Sequence, residues 1–518
     1  MAVAQLSSSC LLRMKRCPRG NRPRKPPGPP LFRCCAFPTD IVLEIASFLQ
    51  NTELLNLSST SSRFQRLLLP MLYNTVSLDS TRACRSGLAT LSAHPELCTY
   101  IRTLVIRPNY TIVCWPRTDG PIDESEIAQM IEGLVDKLEG LNKLTWCGVA
   151  LPPDGLWVAL RNGCPNLKKI DLTAGSRHLQ PESELLKFGN LTAFSLCLEA
   201  PDRALGDLNL PAQLWTMLTE RCPNLEELSL RLVSCSHRLR ELERLASHTF
   251  PHLRALQLEI WFYHRDLALS QPSIELVGRF LSAHQAIREL SIYSYWGRAF
   301  PETLPLFLAP TALPQLRSFV GVYQHVAQLP HPAQLETLDL TGDPVSGASI
   351  TAVASALRRL TALQSLDVRL ADAQDASLLQ AIIAACPGLT TLRIMFPVNF
   401  GKKTLRRISA AVQALPRLRA LTLYKGHRLT DARMLRCARA LLAGNPSLQE
   451  IQLASFAWPR CERRESGSYF VLVDARGRRY VDAWERGARS VYVGGGVFER
   501  RFRYFLDGGW YMVGDKGF

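Results

Sequence analysis

The residues of this chain that could do covalent chemistry are dispersed rather than grouped. The sequence holds 15 cysteines and 10 histidines among 518 residues, but no HExxH, GxSxG, phosphate-loop or dinucleotide-binding signature. The closest cysteines are Cys34–Cys35 and no CxxC occurs, which argues against a zinc ribbon or a redox dithiol. The glycines at 494–496 lack a following GK[ST] and predict a turn. We therefore expect no catalytic residue, no metal site and no cofactor.

The basic charge of the chain is concentrated at its N-terminus. Residues 1–36 contain eight Lys or Arg residues and no acid, which is half of the net charge of +16. The repeat region is close to neutral, so a basic nucleic-acid-binding face is not indicated. No run reaches the roughly 18 apolar residues of a membrane helix. We expect neither nucleic acid nor membrane as a partner.

The basic tail, residues 1–35, is too poor in apolar residues to form a core and predicts disorder. Its Lys/Arg cluster is compatible with a nuclear import signal, and its acid-free, serine-containing start with a mitochondrial presequence. A solvated extension without a targeting role is the third alternative. The odd cysteine count favours a reducing compartment, so we expect a cytoplasmic and/or nuclear protein, with mitochondria as the alternative.

Residues 36–76 predict three short helices. Thr39 is a candidate N-cap, and Ile41, Ile45, Phe48 and Leu49 form one apolar stripe at helical spacing. A second helix begins near Thr52 and a third stops near Pro70. Forty residues bury only a small core, so more apolar side chains line up than the module can cover internally.

This module resembles an F-box. The resemblance rests on Phe37-Pro38, the apolar stripe, Leu54 and Ser62-Arg63-Phe64. The ending Pro70-Met71-Leu72-Tyr73 resembles that of fungal F-box proteins. The family binds the Skp adaptor of cullin-RING ubiquitin ligases. The resemblance implies that the adaptor-binding residues are Pro38, Ile41, Ile45, Phe48, Leu49 and Leu54.

A repeat array follows the module. The pattern Leu-x-x-Leu-x-Leu, with other apolar residues as substitutes, recurs at a mean interval of about 28 residues, in the leucine-rich-repeat range. The copies start at residues 101, 141, 167, 191, 225, 253, 287, 316, 335, 363, 389, 418 and 448. Positions 1, 4 and 6 predict the core side of a short strand, with helices between the strands. Such units must stack to bury their apolar faces.

Several repeats begin with Cys-Pro, as at Cys164, Cys222 and Cys386. Proline ends the preceding helix and favours an extended entry to the strand, and the cysteine fills space at the helix end. This arrangement is similar to the cysteine-containing leucine-rich repeats of F-box proteins. The fold class we expect is α/β, a leucine-rich-repeat solenoid (horseshoe) over residues 77–455 after the F-box at 36–76.

Residues that alternate with the core leucines form a mixed polar surface suited to a protein partner. Aromatic residues cluster at 261–264 and 293–296, either as interface anchors or as packing inside long loops. The predicted partner-binding residues are Arg231, Glu259, Tyr293, Tyr295, Trp296, Arg369, Arg393 and Tyr424. Residues 456–518 predict a β-rich C-terminal cap, with a hairpin around 474–477.

Together these features predict a substrate-recognition subunit of a Skp-cullin-F-box ubiquitin ligase that is not itself an enzyme. Its F-box would dock the Skp-family adaptor, and through it a cullin. Its repeats would hold a protein target that the sequence does not identify. The alternative is a non-degradative interaction scaffold built on the same repeats.

Overall fold

The structure of the protein is a computed structural model. It describes residues 37–108, 123–174, 179–198, 210–233, 247–262, 271–296, 306–371, 376–396, 402–425, 437–442, 445–455, 466–473 and 479–487. These residues fall into two compact units, one up to residue 198 and the other from residue 210 onward.

The first unit begins with three helices and continues with five parallel strands. The helices of this opening module are α1 (Thr39–Ser47), α2 (Asn51–Ser58) and α3 (Ser62–Tyr73). Then come β1 (Thr75–Leu78), α4 (Thr81–Ala93), β2 (Thr103–Ile106), α5 (Glu124–Glu132), β3 (Lys143–Cys147), α6 (Asp154–Gly163), β4 (Lys169–Ala174) and β5 (Ala193–Leu198). Short 3-10 turns lie at Pro95–Tyr100, Val135–Lys137 and Glu184–Lys187.

Local capping explains where the module's helices begin. The Gln50 N–H donates to the Glu53 carboxylate at 2.9 Å, and the Ser61 hydroxyl accepts from the Phe64 N–H at 3.1 Å. Thr39 is the first helical residue of α1 rather than its cap. The Arg63 guanidinium donates to the Phe37 carbonyl at 2.7 Å, which ties α3 to the start of α1.

The expected helix end at Pro70 is wrong, because α3 runs through Pro70 to Tyr73. The exposed proline removes one helix hydrogen bond. Continuing the helix buries Leu72 and Tyr73, which are 8% and 5% exposed, and this apolar burial offsets the loss.

The second unit contains nine parallel strands followed by an antiparallel hairpin. Its strands are β6 (Glu227–Val233), β7 (Ala255–Phe262), β8 (Glu289–Trp296), β9 (Ser318–Val320), β10 (Thr337–Val345), β11 (Ser365–Leu370), β12 (Thr391–Met395), β13 (Ala420–Lys425), β14 (Glu450–Ser455), β15 (Ser466–Val473) and β16 (Arg479–Gly487). Strand β14 pairs antiparallel with β15, and β15 with β16.

Helices connect successive strands of the second unit. They are α7 (Ala212–Thr216), α8 (Gln271–Ala283), α9 (Tyr323–Gln328), α10 (Ile350–Arg358), α11 (Ala376–Ala385) and α12 (Lys402–Val412). Residues 437–442 are also helical. A π-helical turn covers Met217–Arg221, and 3-10 turns lie at Pro332–Gln334 and Gly347–Ser349.

Each of the thirteen expected repeat copies coincides with a strand, which confirms an α/β fold with a long repeat-like series of parallel strands. Within a copy, positions 1, 4 and 6 form the core: Leu167, Ile170 and Leu172 are 5%, 1% and 0% exposed. The same contact precedes the strands. The N–H of the first core residue donates to a carbonyl three residues earlier, as Leu167 does to Cys164 at 3.0 Å.

The cysteines at this turn are buried. Cys164, Cys222 and Cys386 are 3%, 0% and 4% exposed, and each sits where a helix ends. Burial raises the pKa of the Cys164 and Cys386 thiols to about 12. These thiols therefore act as small apolar side chains rather than as nucleophiles.

Several expectations fall partly or wholly outside the described residues. The basic tail and the part of the expected cap after residue 487 lie outside them, whereas the hairpin around 474–477 is present as β15 and β16. Among the described helices, none is long and apolar enough to cross a membrane.

Candidate binding surfaces

Helix α1 presents an uncovered apolar face. Ile41, Ile45 and Phe48 are 43%, 46% and 79% exposed. At 100° per residue, Ile45 and Phe48 lie within about 40° of Ile41 around the helix axis. We call Ile41, Ile45 and Phe48 the α1 surface. Apolar side chains clustered on one face are typical of a site that a partner covers.

A second face of α1, about 100–140° around the helix axis from Ile41, anchors the helix. Val42 and Ala46 are 3% and 1% exposed and face the module core, which α2 and α3 complete with Leu54, Phe64 and Leu68. Because this core fixes α1, its outer face is held in place without a partner. The α1 surface is therefore preformed in the free chain.

The other predicted adaptor-binding residues occupy different environments. Pro38 is exposed, and it directly precedes the first turn of α1. Leu49 is half-buried beside the exposed Phe48. Leu54 is 4% exposed, so the structure places it in the module core and not on the α1 surface.

The second candidate surface is the strand face opposite the core. On each of the nine parallel strands of the second unit one residue lies next to a core residue on the face opposite the core. Parallel pairing aligns these nine residues into what we call the central row. Its members are Ser229, Gln257, Ser291, Val320, Asp339, Asp367, Arg393, Thr422 and Gln452.

Neighbours within the central row are linked by their side chains. The Ser229 hydroxyl donates to the Gln257 side-chain oxygen at 3.1 Å, and the Thr422 hydroxyl donates to that of Gln452 at 3.4 Å. The row is also well covered, since Gln257, Asp339 and Asp367 are 8%, 4% and 3% exposed. Polar groups this buried are normally paired.

The charged part of the row consists of Asp339, Asp367 and Arg393 on three consecutive strands. One Arg393 guanidinium nitrogen lies 3.1 Å from the Asp367 carboxylate. Burial, reinforced by the neighbouring Asp339, raises the pKa of Asp367 to about 7, although Arg393 opposes the shift. The carboxylate of Asp367 in turn raises the pKa of Arg393, against the effect of burial.

The eight predicted partner-binding residues fall into two groups of strands. Arg231, Glu259 and Tyr293 are register partners on β6, β7 and β8. Arg369, Arg393 and Tyr424 lie on β11, β12 and β13. Strands β9 and β10 separate the two groups.

Burial differs among these residues. Arg231 and Arg369 are 4% and 7% exposed, so a partner could reach little of either. Arg393 keeps a side-chain exposure of 37%, and Tyr424 is half-buried.

The aromatic residues of β7 and β8 are paired in register at the backbone level. Trp261 is opposite Tyr295 and Phe262 is opposite Trp296, so these residues lie in the last positions of the two strands. The side chains of Glu259, Tyr293, Tyr295 and Trp296 lie outside the described part of the structure. Whether they anchor a partner stays a prediction.

Sequence reasoning did not select Asp339 or Asp367 as site residues. The signal that could have found them is an aspartate at the same position of two consecutive repeats, Leu-Glu-Thr-Leu-Asp-Leu and Leu-Gln-Ser-Leu-Asp-Val. Parallel pairing then places the two carboxylates side by side. Over the described residues, no group of three or more His, Cys, Asp or Glu side chains could hold a metal ion.

Comparisons with known proteins give little guidance. No protein-family model and no curated protein matches the chain. Among solved structures, it is similar to a chain of the crystal structure of the Rad7 and Elc1 complex in yeast, with 14% identity and a TM-score of 0.37. The match covers 79% of this chain and 90% of that one. A likeness this distant is no basis for transferring a function.

Proposed function

We propose that this protein is the substrate-recognition subunit of a Skp-cullin-F-box ubiquitin ligase. The observation that carries the proposal is the α1 surface, an exposed apolar face within a helical segment that resembles an F-box. A Skp-family adaptor, and through it a cullin, would bind there. The strand face of the repeats would hold the protein target.

In this role the chain makes and breaks no covalent bond. It raises the local concentration of a target next to enzymes bound elsewhere in the complex, which converts a bimolecular encounter into an effectively intramolecular one. In this role the buried Cys164 and Cys386 thiols, with pKa values raised to about 12, fill space in the repeats. The proposed compartment is the cytoplasm and/or the nucleus.

The test is co-purification of the full chain with a recombinant Skp-family adaptor. Wild type should retain the adaptor, and Ile45→Lys should lose it, because a lysine in the α1 surface would bury a charge on binding. Leu43→Lys is the matched control: Leu43 is 37% exposed on the same helix but lies about 200° from Ile41.

The outcomes separate the two candidate functions. If the wild-type chain fails to retain the adaptor, the ligase proposal is lost, and the non-degradative scaffold is left. If Leu43→Lys abolishes retention as fully as Ile45→Lys, the α1 surface is not the docking site. Sequencing the N-terminus of the mature protein from cells tests the mitochondrial alternative, since a presequence would be removed.

A further inference from the structure

The central row places two carboxylates and one guanidinium side by side on the strand face. Asp339 is the register partner of Asp367, and Asp367 is the register partner of Arg393. All three stand opposite the core, since their flanking residues Leu338, Leu366 and Leu392 are 0% exposed. Side chains in register on adjacent parallel strands are direct neighbours.

The two carboxylates are not equally satisfied. Asp367 accepts from the Arg393 guanidinium at 3.1 Å. Asp339 uses only Oδ1, which accepts from the Thr341 N–H at 2.8 Å and from the Thr341 hydroxyl at 2.6 Å. Its Oδ2 forms no hydrogen bond or ion pair with a described residue, and it is not one of the buried unpaired side-chain atoms, so a donor can reach it although Asp339 as a whole is 4% exposed. A carboxylate that keeps one accessible oxygen can accept a hydrogen bond from a donor outside the chain.

The strand next to Asp339 is unusually short. Strand β9 ends at Val320, the register partner of Asp339, whereas its neighbours β8 and β10 continue to Trp296 and Val345. The chain then turns away at Gly321, where an added Cβ would lie 2.9 Å from the Ile292 carbonyl oxygen. No strand residue of β9 therefore occupies the next row beside Asp339, and the adjoining side chain is the apolar Val320.

We propose that Asp339 and Val320 form a subsite on the strand face that binds a lysine or arginine side chain of a protein partner. The ammonium or guanidinium group would donate to Asp339 Oδ2, and the aliphatic stem would lie on Val320. The subsite deepens the proposed function, on which it rests, by giving the chemistry of the target. The subsite would not bind an acidic target segment, because the carboxylates of Asp339 and its neighbour Asp367 would repel it.

Three variants isolate the subsite. Asp339→Asn removes the charge but keeps an oxygen that accepts from Thr341, so the local turn is preserved. Val320→Lys supplies an ammonium from within the row, next to Asp339, and should occupy the subsite. Asp171→Asn is the matched control, since Asp171 is 6% exposed at the same strand position of β4, between the core residues Ile170 and Leu172.

The probe is a random peptide library displayed on phage and panned against the full chain without any adaptor. Peptides selected by wild type should be enriched in Lys or Arg, and one such peptide is then titrated against each variant by fluorescence anisotropy. Asp339→Asn and Val320→Lys should weaken its binding by about 30-fold or more, the usual effect of losing one partner of a buried charge pair. Asp171→Asn should bind as wild type does.

Selection of peptides without basic residues would overturn the subsite, as would binding to Asp339→Asn within about twofold of wild type. Equal weakening by Asp171→Asn would also overturn it. Because no adaptor is present and the compared variants leave the α1 surface unchanged, the differences between them do not depend on adaptor docking. If the chain selects basic peptides but does not bind the adaptor, the subsite proposal stands and the ligase proposal is lost.

Discussion

Replacing Phe48 by alanine should weaken adaptor binding more than any other single truncation in the α1 surface. Full burial of a large apolar side chain contributes about 1.5–3 kcal/mol. Phe48 is 79% exposed in the free chain, so covering it should contribute roughly 1.2–2.4 kcal/mol. At about 1.4 kcal/mol per factor of ten, Phe48→Ala should raise Kd roughly 7- to 50-fold.

The same reasoning gives a smaller value for Ile45. Its exposed fraction is 46%, so covering it contributes roughly 0.7–1.4 kcal/mol and its truncation raises Kd roughly 3- to 10-fold. The order of effects, Phe48 before Ile45, follows directly from the exposed fractions. Ile41, at 43%, should match Ile45.

Isothermal titration of the full chain with the adaptor measures these constants, and thermal unfolding checks that the variants fold. Leu43→Ala should leave Kd within about twofold of wild type, because Leu43 lies on the other side of α1. If Phe48→Ala binds as tightly as wild type, the exposed fractions do not report the buried interface and the reasoning fails. An equal loss for Leu43→Ala would refute the assignment of the face.

Three further predictions concern stability, measured as urea midpoints. Burial raises the pKa of Asp367 to about 7, so the wild-type chain should lose stability as the pH rises from about 4 to 7. Asp367→Asn should lose less stability over this range. Parallel plots of urea midpoint against pH for the two chains would contradict this prediction. His284→Ala leaves the buried Phe250 N–H, which donates to His284 Nε2 at 2.8 Å, without its acceptor, and should cost about 1–3 kcal/mol. Gly278→Ala should destabilise measurably, because its Cβ would clash with the Leu306 carbonyl oxygen. An unchanged midpoint would show that the 306–307 backbone moves freely.

The repeat array was predictable because its signal is local. Leu366, Val368 and Leu370 alternate with polar residues at the period of a strand, and all three are 1% exposed or less. The parallel register then follows from stacking one copy on the next, as for Leu366 on Leu392. One pattern that recurs thirteen times is the sequence signature of a repeat fold.

The parts that sequence reasoning missed depend on tertiary contacts. Pro70 normally ends a helix, and only the buried positions of Leu72 and Tyr73 explain why α3 continues. Leu54 has the same apolar character as Ile45, and its burial depends on how α2 packs against α3. The contact between Asp367 and Arg393 requires the register of β11 and β12, which neither strand specifies alone.

The two proposed surfaces share one feature: each places side chains in the environment that folding alone disfavours. Folding buries apolar side chains and exposes charges. Yet Phe48 is 79% exposed, whereas the side chain of Asp367 is 5% exposed and Asp339 beside it is 4% exposed. A phenylalanine in water gives up burial energy, and neighbouring buried carboxylates repel each other.

A suitable partner would offset each of these unfavourable environments. An apolar groove on the adaptor would cover Phe48. An ammonium or guanidinium group of the target would offset the negative charge of Asp339. The α1 surface lies in the first unit and the charged row in the second, so a protein could carry both partners on separate surfaces, as a substrate-recognition subunit must. In a chain that carries both Phe48→Ala and Asp339→Asn, adaptor binding should fall only as far as in Phe48→Ala alone. Peptide binding should fall only as far as in Asp339→Asn alone. Cross-effects, such as weaker adaptor binding by Asp339→Asn alone, would show that the two surfaces are coupled.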